Sequence, residues 1–273
     1  MTDRYRYAVP LAALFLGTPA LAAPQLAAHL AVYEIDLADA SERSGIKGMS
    51  GRMVYDFGGS SCDGYTMSFR FVTRIETEDA SRLTDQQTRT FENVEDGVFQ
   101  FSTRSFVDET QDRDVKGLAQ GRDGRTEVEL TSPDERSLEL PSTTFPTLHM
   151  IELLQAAKDG ERFFEQNLFD GSDDADKVMA TTAVIGSMVR HESDGQEGDG
   201  EVLPREFNGL RYWPVTIAYY PLNEGQGEAL PLYRIEMKLY ENGVTRDIAM
   251  DYGEFQLEGS LQSIEMREPD RCE

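Results

Sequence analysis

Gly51-Arg52-Met53-Val54-Tyr55-Asp56-Phe57 and Tyr65-Thr66-Met67-Ser68-Phe69-Arg70-Phe71 place a large apolar side chain at every second position on either side of Asp63-Gly64. Successive side chains of a strand point to opposite faces, so each run buries one face and turns the other to water. Asp-Gly supplies the positive φ angles of a tight hairpin turn, which makes the two runs antiparallel neighbours.

The same period extends outward in both directions. Ala31-Val32-Tyr33-Glu34-Ile35-Asp36-Leu37 precedes the hairpin, and alternating runs follow at 89–94, 98–107, 114–119, 126–131, 137–140, 163–169, 177–189, 210–220, 232–240, 245–252 and 255–266. The pattern predicts about fourteen strands. Asp96-Gly97, Asp123-Gly124 and Asn242-Gly243 also fall between alternating runs, so the strands are expected to be mostly antiparallel. A sheet of that many strands curls or splits into layers, because long exposed edges invite aggregation.

One stretch breaks the period. Leu148, Ile151, Leu154 and Gln155 recur at helical spacing, Pro146 suits a first turn, and Lys158 followed by Gly160 suits a C-terminus. These signals predict one substantial helix over Phe145 to Asp159, with Leu148, Ile151 and Leu154 facing the sheet. A helix in the middle of many strands covers or plugs the open face of a curved sheet. The expected class is all-β with one helix.

The chain opens with Arg4 and Arg6, an apolar run from Val9 to Leu16 and Ala20-Leu21-Ala22. Those are the charged, apolar and small-residue regions of a cleavable export signal, placing the mature start at Ala23 or Pro24. The expected organisation is a signal over residues 1–23 and a mature region over residues 24–273. Only two cysteines occur, Cys62 and Cys272. In an oxidising compartment two such thiols are expected to bond to each other. A bridge closing so long a loop stabilises by about 5 kcal/mol in the chain-entropy model.

Formal net charge is -24, and removal of Asp3, Arg4 and Arg6 makes it one unit more negative. Phosphate backbones repel such a surface, which argues against a nucleic-acid partner. The mature region has no apolar run approaching the roughly 18 residues of a membrane span. Glu192 to Glu201, glycine-rich and acidic, reads as a mobile surface loop.

Catalytic and metal motifs are sparse. The three histidines, His29, His149 and His191, show no HxxxH or HExxH spacing, and no CxxC is present. His149 lies between Leu148 and Met150 and reads as a partly buried helix residue. Gly58-Gly59-Ser60-Ser61-Cys62 is not a GxSxG nucleophile elbow. Asp170-Gly171-Ser172-Asp173-Asp174-Ala175-Asp176 lacks the sixth-position glycine and twelfth-position glutamate of a calcium loop and reads as a solvated turn. Tyr212-Trp213-Pro214 and Tyr219-Tyr220-Pro221 put rings on both faces of one strand, which favours core over a ligand groove, and Pro214 implies an edge or bulge. No catalytic residue, cofactor or metal is expected.

Taken in order, Cys62-Asp63-Gly64-Tyr65, Phe145-Pro146-Thr147-Leu148-His149, Leu168-Phe169-Asp170-Gly171-Ser172 and the C-terminal Cys272 resemble the EipB-type periplasmic cell-envelope integrity proteins of alphaproteobacteria. The resemblance spans nearly the whole mature region. It implies a single, strongly curved, many-stranded β-spiral, similar in shape to periplasmic lipoprotein carriers, with Cys62 bonded to Cys272. It further implies a role in maintaining the Gram-negative envelope without an enzymatic reaction, and a tetratricopeptide-repeat periplasmic partner. The leading expectation is therefore a soluble periplasmic protein that binds another envelope component. The alternative is a carrier that shelters lipid or lipoprotein acyl chains inside the curved sheet; an apolar cavity beneath the helix would favour it, and a packed interior would favour the binding module.

Overall fold

The hairpin that organises the sequence organises the sheet. In the computed structural model, which describes residues 26–192, 203–222 and 230–268, Gly51 to Ser60 pair antiparallel with Gly64 to Thr73 without a break in register. The export signal, Cys272 and most of the acidic loop at 192–201 lie outside the described residues. Gly59 (φ 102°) and Gly64 (φ 86°) bracket the turn, and both are required by packing as well as by conformation. A Cβ on Gly59 would stand 2.2 Å from the Gly64 carbonyl oxygen, and one on Gly64 would stand 2.7 Å from the Phe91 ring.

Fifteen strands and one α-helix follow in the order β1 (His29–Ala40), β2 (Ile46–Ser60), β3 (Gly64–Thr77), β4 (Ser81–Asn93), β5 (Val98–Val107), β6 (Thr110–Arg122), β7 (Arg125–Ser132), β8 (Arg136–Pro141), α1 (Pro146–Asp159), β9 (Phe163–Leu168), β10 (Met179–Ile185), β11 (Val189–Arg190), β12 (Arg211–Pro221), β13 (Tyr233–Tyr240), β14 (Thr245–Asp251) and β15 (Phe255–Met266). All belong to one antiparallel sheet running β8-β7-β6-β5-β4-β3-β2-β1-β15-β14-β13-β12-β10-β9, with β11 paired to β12. Two meanders meet where β1 pairs with β15, and the sheet does not close on itself. Its two end strands, β8 and β9, are joined through α1, and a single parallel bridge links Thr144 to Leu168.

The strand beyond the predicted fourteen arises where the run 177–189 divides. β10 ends at Ile185 and β11 begins at Val189, while Pro214 of β12 lies between their partners Val215 and Tyr212. Proline has no N–H to donate to a neighbour, so the ladder is interrupted there; the Gly186 N–H still reaches the Pro214 carbonyl at 2.7 Å. A second difference lies in the β5–β6 turn. Asp108 and Glu109 both adopt positive φ without a glycine, and the Asp108 carboxylate accepts the Leu83 N–H at 2.9 Å. The structure thus begins β6 at Thr110, four residues before the alternation becomes legible.

The buried side chains form three clusters. One surrounds α1: Leu153, Leu154 and Ala157 pack with Phe57, Tyr65, Trp213, Val215, Ile217 and Leu239. Another lies between β1, β2, β14 and β15, built on Tyr33, Ile35, Met53, Leu257 and Leu261. A third gathers Phe99, Phe101, Phe145 and Phe169 with Val128 and Leu130. Its Phe99 and Phe145 rings stack at 5.1 Å, and Phe169 meets Phe101 edge-on at 5.6 Å. These last contacts tie both flanks of the helix segment to β5, so the curled end of one meander is fastened to the other.

Candidate functional site

The start of the helix depends on a distant part of the chain. Phe145 caps it with no side-chain hydrogen bond, and its first turn contains no acidic residue. The missing acceptor comes from β4. The Glu92 carboxylate, 1% exposed, takes the Thr147 N–H at 2.7 Å and the Leu148 N–H at 2.9 Å. A carboxylate at this end both satisfies orphan donors and opposes the positive end of the helix dipole. Burial pushes the Glu92 carboxyl above its usual range, and the two N–H bonds only partly offset that push.

The register explains why Glu92 points inward. It pairs with Tyr65 on β3 and Phe99 on β5, both buried. No local motif around Glu92 advertises this role. The available signal is indirect: a helix that begins Phe145-Pro146-Thr147 with no capping side chain needs an acceptor from elsewhere.

The buried residues of α1 are His149, Leu153, Leu154 and Ala157. That face is rotated from the predicted Leu148, Ile151 and Leu154; Ile151 packs against the cluster but is only half-buried. The rotation follows from His149, which the structure draws inward because it has a partner there. Thr181 Oγ1 on β10 gives its one proton to the Gln166 carbonyl at 2.9 Å, so the 2.9 Å contact from His149 Nε2 must donate to it. Burial lowers the His149 pKa to about 4 and keeps the ring neutral near pH 7.

The other histidines do not join it. His29 contacts the Ala27 carbonyl at 2.7 Å and lies 5.7 Å, centroid to centroid, from the Tyr55 ring. His191 Nδ1 lies 3.1 Å from the Tyr240 hydroxyl. Among the described residues no three His, Cys, Asp or Glu side chains converge as a metal site.

Asp170 to Asp176 is a turn, as expected, but one fastened to the core. The Ser172 N–H donates to Asp170 Oδ1 at 2.9 Å, Arg113 pairs with Asp173 at 3.2 Å, and Phe169 and Ala175 are buried. In β12, Trp213 and Tyr219 are buried while Tyr212 and Tyr220 are half-buried, so the aromatic strand mainly builds core. Cys62 sits exposed in the β2–β3 turn, where the Asp63 N–H donates to Ser60 Oγ at 3.2 Å.

An open, barrel-like antiparallel sheet plugged by one helix defines the class of protein. The EipB-like family model matches residues 20–268, and the chain belongs to that family. It is 46% identical over 248 residues to the cell envelope integrity protein EipB of Brucella abortus (strain 2308), covering 90% of this chain and 86% of the relative. A crystal structure of a β-barrel-like protein of domain of unknown function DUF1849 from Brucella abortus superposes with a TM-score of 0.85 at 44% identity, covering 90% of this chain and all of the other. No helix among the described residues is long and apolar enough to cross a membrane.

Proposed function

We propose that this protein is exported to the periplasm and maintains Gram-negative cell-envelope integrity by binding another envelope component, without catalysing a reaction. The observation that carries the reading is the cluster of buried apolar side chains beneath α1, in which Leu153 and Leu154 gather with Phe57, Tyr65, Trp213 and Ile217. A carrier of acyl chains needs an apolar cavity at that place, and close-packed interiors leave few voids larger than water. Exposed Phe163 and Val184, paired across β9 and β10, offer apolar surface outside instead. The envelope role itself rests on the EipB relative of Brucella abortus, and a tetratricopeptide-repeat protein is the partner class to look for first.

We also propose one mature domain over residues 24–273, closed by a Cys62–Cys272 bridge. Its support is where β15 ends. Arg267 pairs with Asp56 of β2 at 2.6 Å, and Glu268 lies beside Gly58 and Gly59, on the strand that leads to Cys62. The five Cα steps from Arg267 to Cys272 reach at most about 17 Å when extended.

Deletion of the gene tests the function. The deletion strain is expected to become sensitive to detergents and cell-wall antibiotics, and folded His149→Gln protein is expected to restore resistance. A folded His149→Gln protein that behaves like the deletion would reopen a catalytic role for that ring.

A further inference from the structure

The C-terminal end of α1 opens into a cleft of about 240 Å³, bordered by Lys158, Arg162 and Arg211, with Ala157, Met188 and Trp213 supplying apolar wall. Three cations at one opening are notable in a chain with 50 acidic and 26 basic residues. Arg211 is already engaged: its guanidinium and its own N–H both bind the Glu241 carboxylate, and it lies 5.9 Å over the Trp213 ring. Arg162 and Lys158 are not. The Arg162 guanidinium donates only to the Ile185 carbonyl and Ser187 Oγ, each at 3.4 Å, and no described carboxylate lies within 4 Å of either cation. Glu161 also borders the opening, so the local balance, Glu241 included, is positive by one charge.

We propose that this cleft is a binding site for a small anionic amphiphile, a carboxylate or phosphate carrying a short apolar group. The anionic oxygens sit between Arg162 and Lys158, where charge-assisted hydrogen bonds gain most from partial desolvation. The apolar group lies against Met188 and the edge of Trp213. A helix C-terminus disfavours an anion when its carbonyls are free, and here two of the last four are taken: the Gly160 N–H binds Ala157 O at 3.2 Å and the Glu161 N–H binds Ala156 O at 3.0 Å. Burial holds the Lys158 ammonium below its usual pKa, with Glu241 pulling it up and Arg211 pushing it down more weakly. The inference goes beyond the envelope-binding reading and stands or falls separately from it.

Trp213 is the one tryptophan of the chain and borders this cleft, so its fluorescence reports on binding there, and the double variant separates that signal from changes in the core it also touches. The test titrates the full mature protein with inorganic phosphate, with hexanoate and with monomeric dihexanoyl phosphatidylglycerol, alongside Lys158→Gln/Arg162→Gln protein. A saturable emission change with at least one amphiphile, weaker by about tenfold or more in the double variant, is expected. Response to phosphate alone would assign the site to free anions and overturn the apolar part of the proposal. Equal binding by the double variant, or no saturable response to any probe, would overturn the site itself. If the double variant does not fold, Arg162→Gln alone is read against the same criterion.

Discussion

The two ends of α1 are held in opposite ways. The C-terminal end is closed locally: Gly160 at φ 85° and the Glu161 N–H take up the last carbonyls, and the opening beyond them is wet and charged. The N-terminal end is held from fifty-five residues away by the buried Glu92, with His149 bonded to β10 one turn along. Local chemistry therefore stops this helix, and the fold starts it. The difference teaches that the helix draws its stability at one end from the sheet, because an uncapped short helix is marginal in water.

The comparison is broken most severely by removing what both ends share. Leu153 is fully buried between α1 and the sheet, so Leu153→Asp is expected to cost about 4 kcal/mol or more through an unpaired buried charge. A denaturant melt that leaves the variant within 1 kcal/mol of the parent, on the roughly ±0.5 kcal/mol scale of surface changes, would show that the helix is detached.

Next in size is the pH response of the N-terminal end. The folded His149 pKa of about 4 lies below the 6.5 of a free imidazole. The unfolded chain therefore binds the extra proton first, and stability is lost as pH falls from about 6.5 to 4, by about 3 kcal/mol in all. Glu92 works the other way: its raised carboxyl takes a proton more readily in the folded state, so its contribution to stability grows as pH falls through the raised pKa. Equilibrium unfolding followed from pH 7 to 4 is expected to show this loss, to which His29, also lowered by burial, adds in the same sense, and His149→Gln, which keeps a donor for Thr181, is expected to reduce it. Flattening by Glu92→Gln instead would exchange the two assignments.

The ends themselves are separated by truncation. Glu92→Ala leaves the Thr147 and Leu148 N–H groups buried without acceptors and is expected to cost about 2 kcal/mol. Gly160→Ala meets no atom within 4 Å and pays only for its left-handed backbone, about 1 kcal/mol. Urea melts of both variants check the order, and equal costs would erase the distinction between a long-range and a local cap.

What the sequence made legible divides along the same line. The β2–β3 hairpin, the Asp123-Gly124 turn with both residues at positive φ, and the close of α1 at Gly160 are short-range devices, and all were readable residue by residue. The inward turn of His149, the Glu92 cap and the division of β10 from β11 opposite Pro214 depend on partners tens of residues away, so periodicity had no access to them. The Phe99, Phe101, Phe145 and Phe169 cluster was hidden for the same reason: its members read separately as strand, helix-start and turn residues.

The proposed binding role requires that the space beneath α1 be taken up by the chain's own side chains and not by a carried acyl chain. Native mass spectrometry of protein purified from its own cells, compared with the same sample after solvent extraction, tests it directly. The expected result is no adduct that depends on the buried face of α1: parent and Leu154→Ala protein, each at its own polypeptide mass, give the same pattern before and after extraction. A lipid-sized adduct that extraction removes, present in the parent and lost when the face of α1 is altered at Leu154, would contradict it.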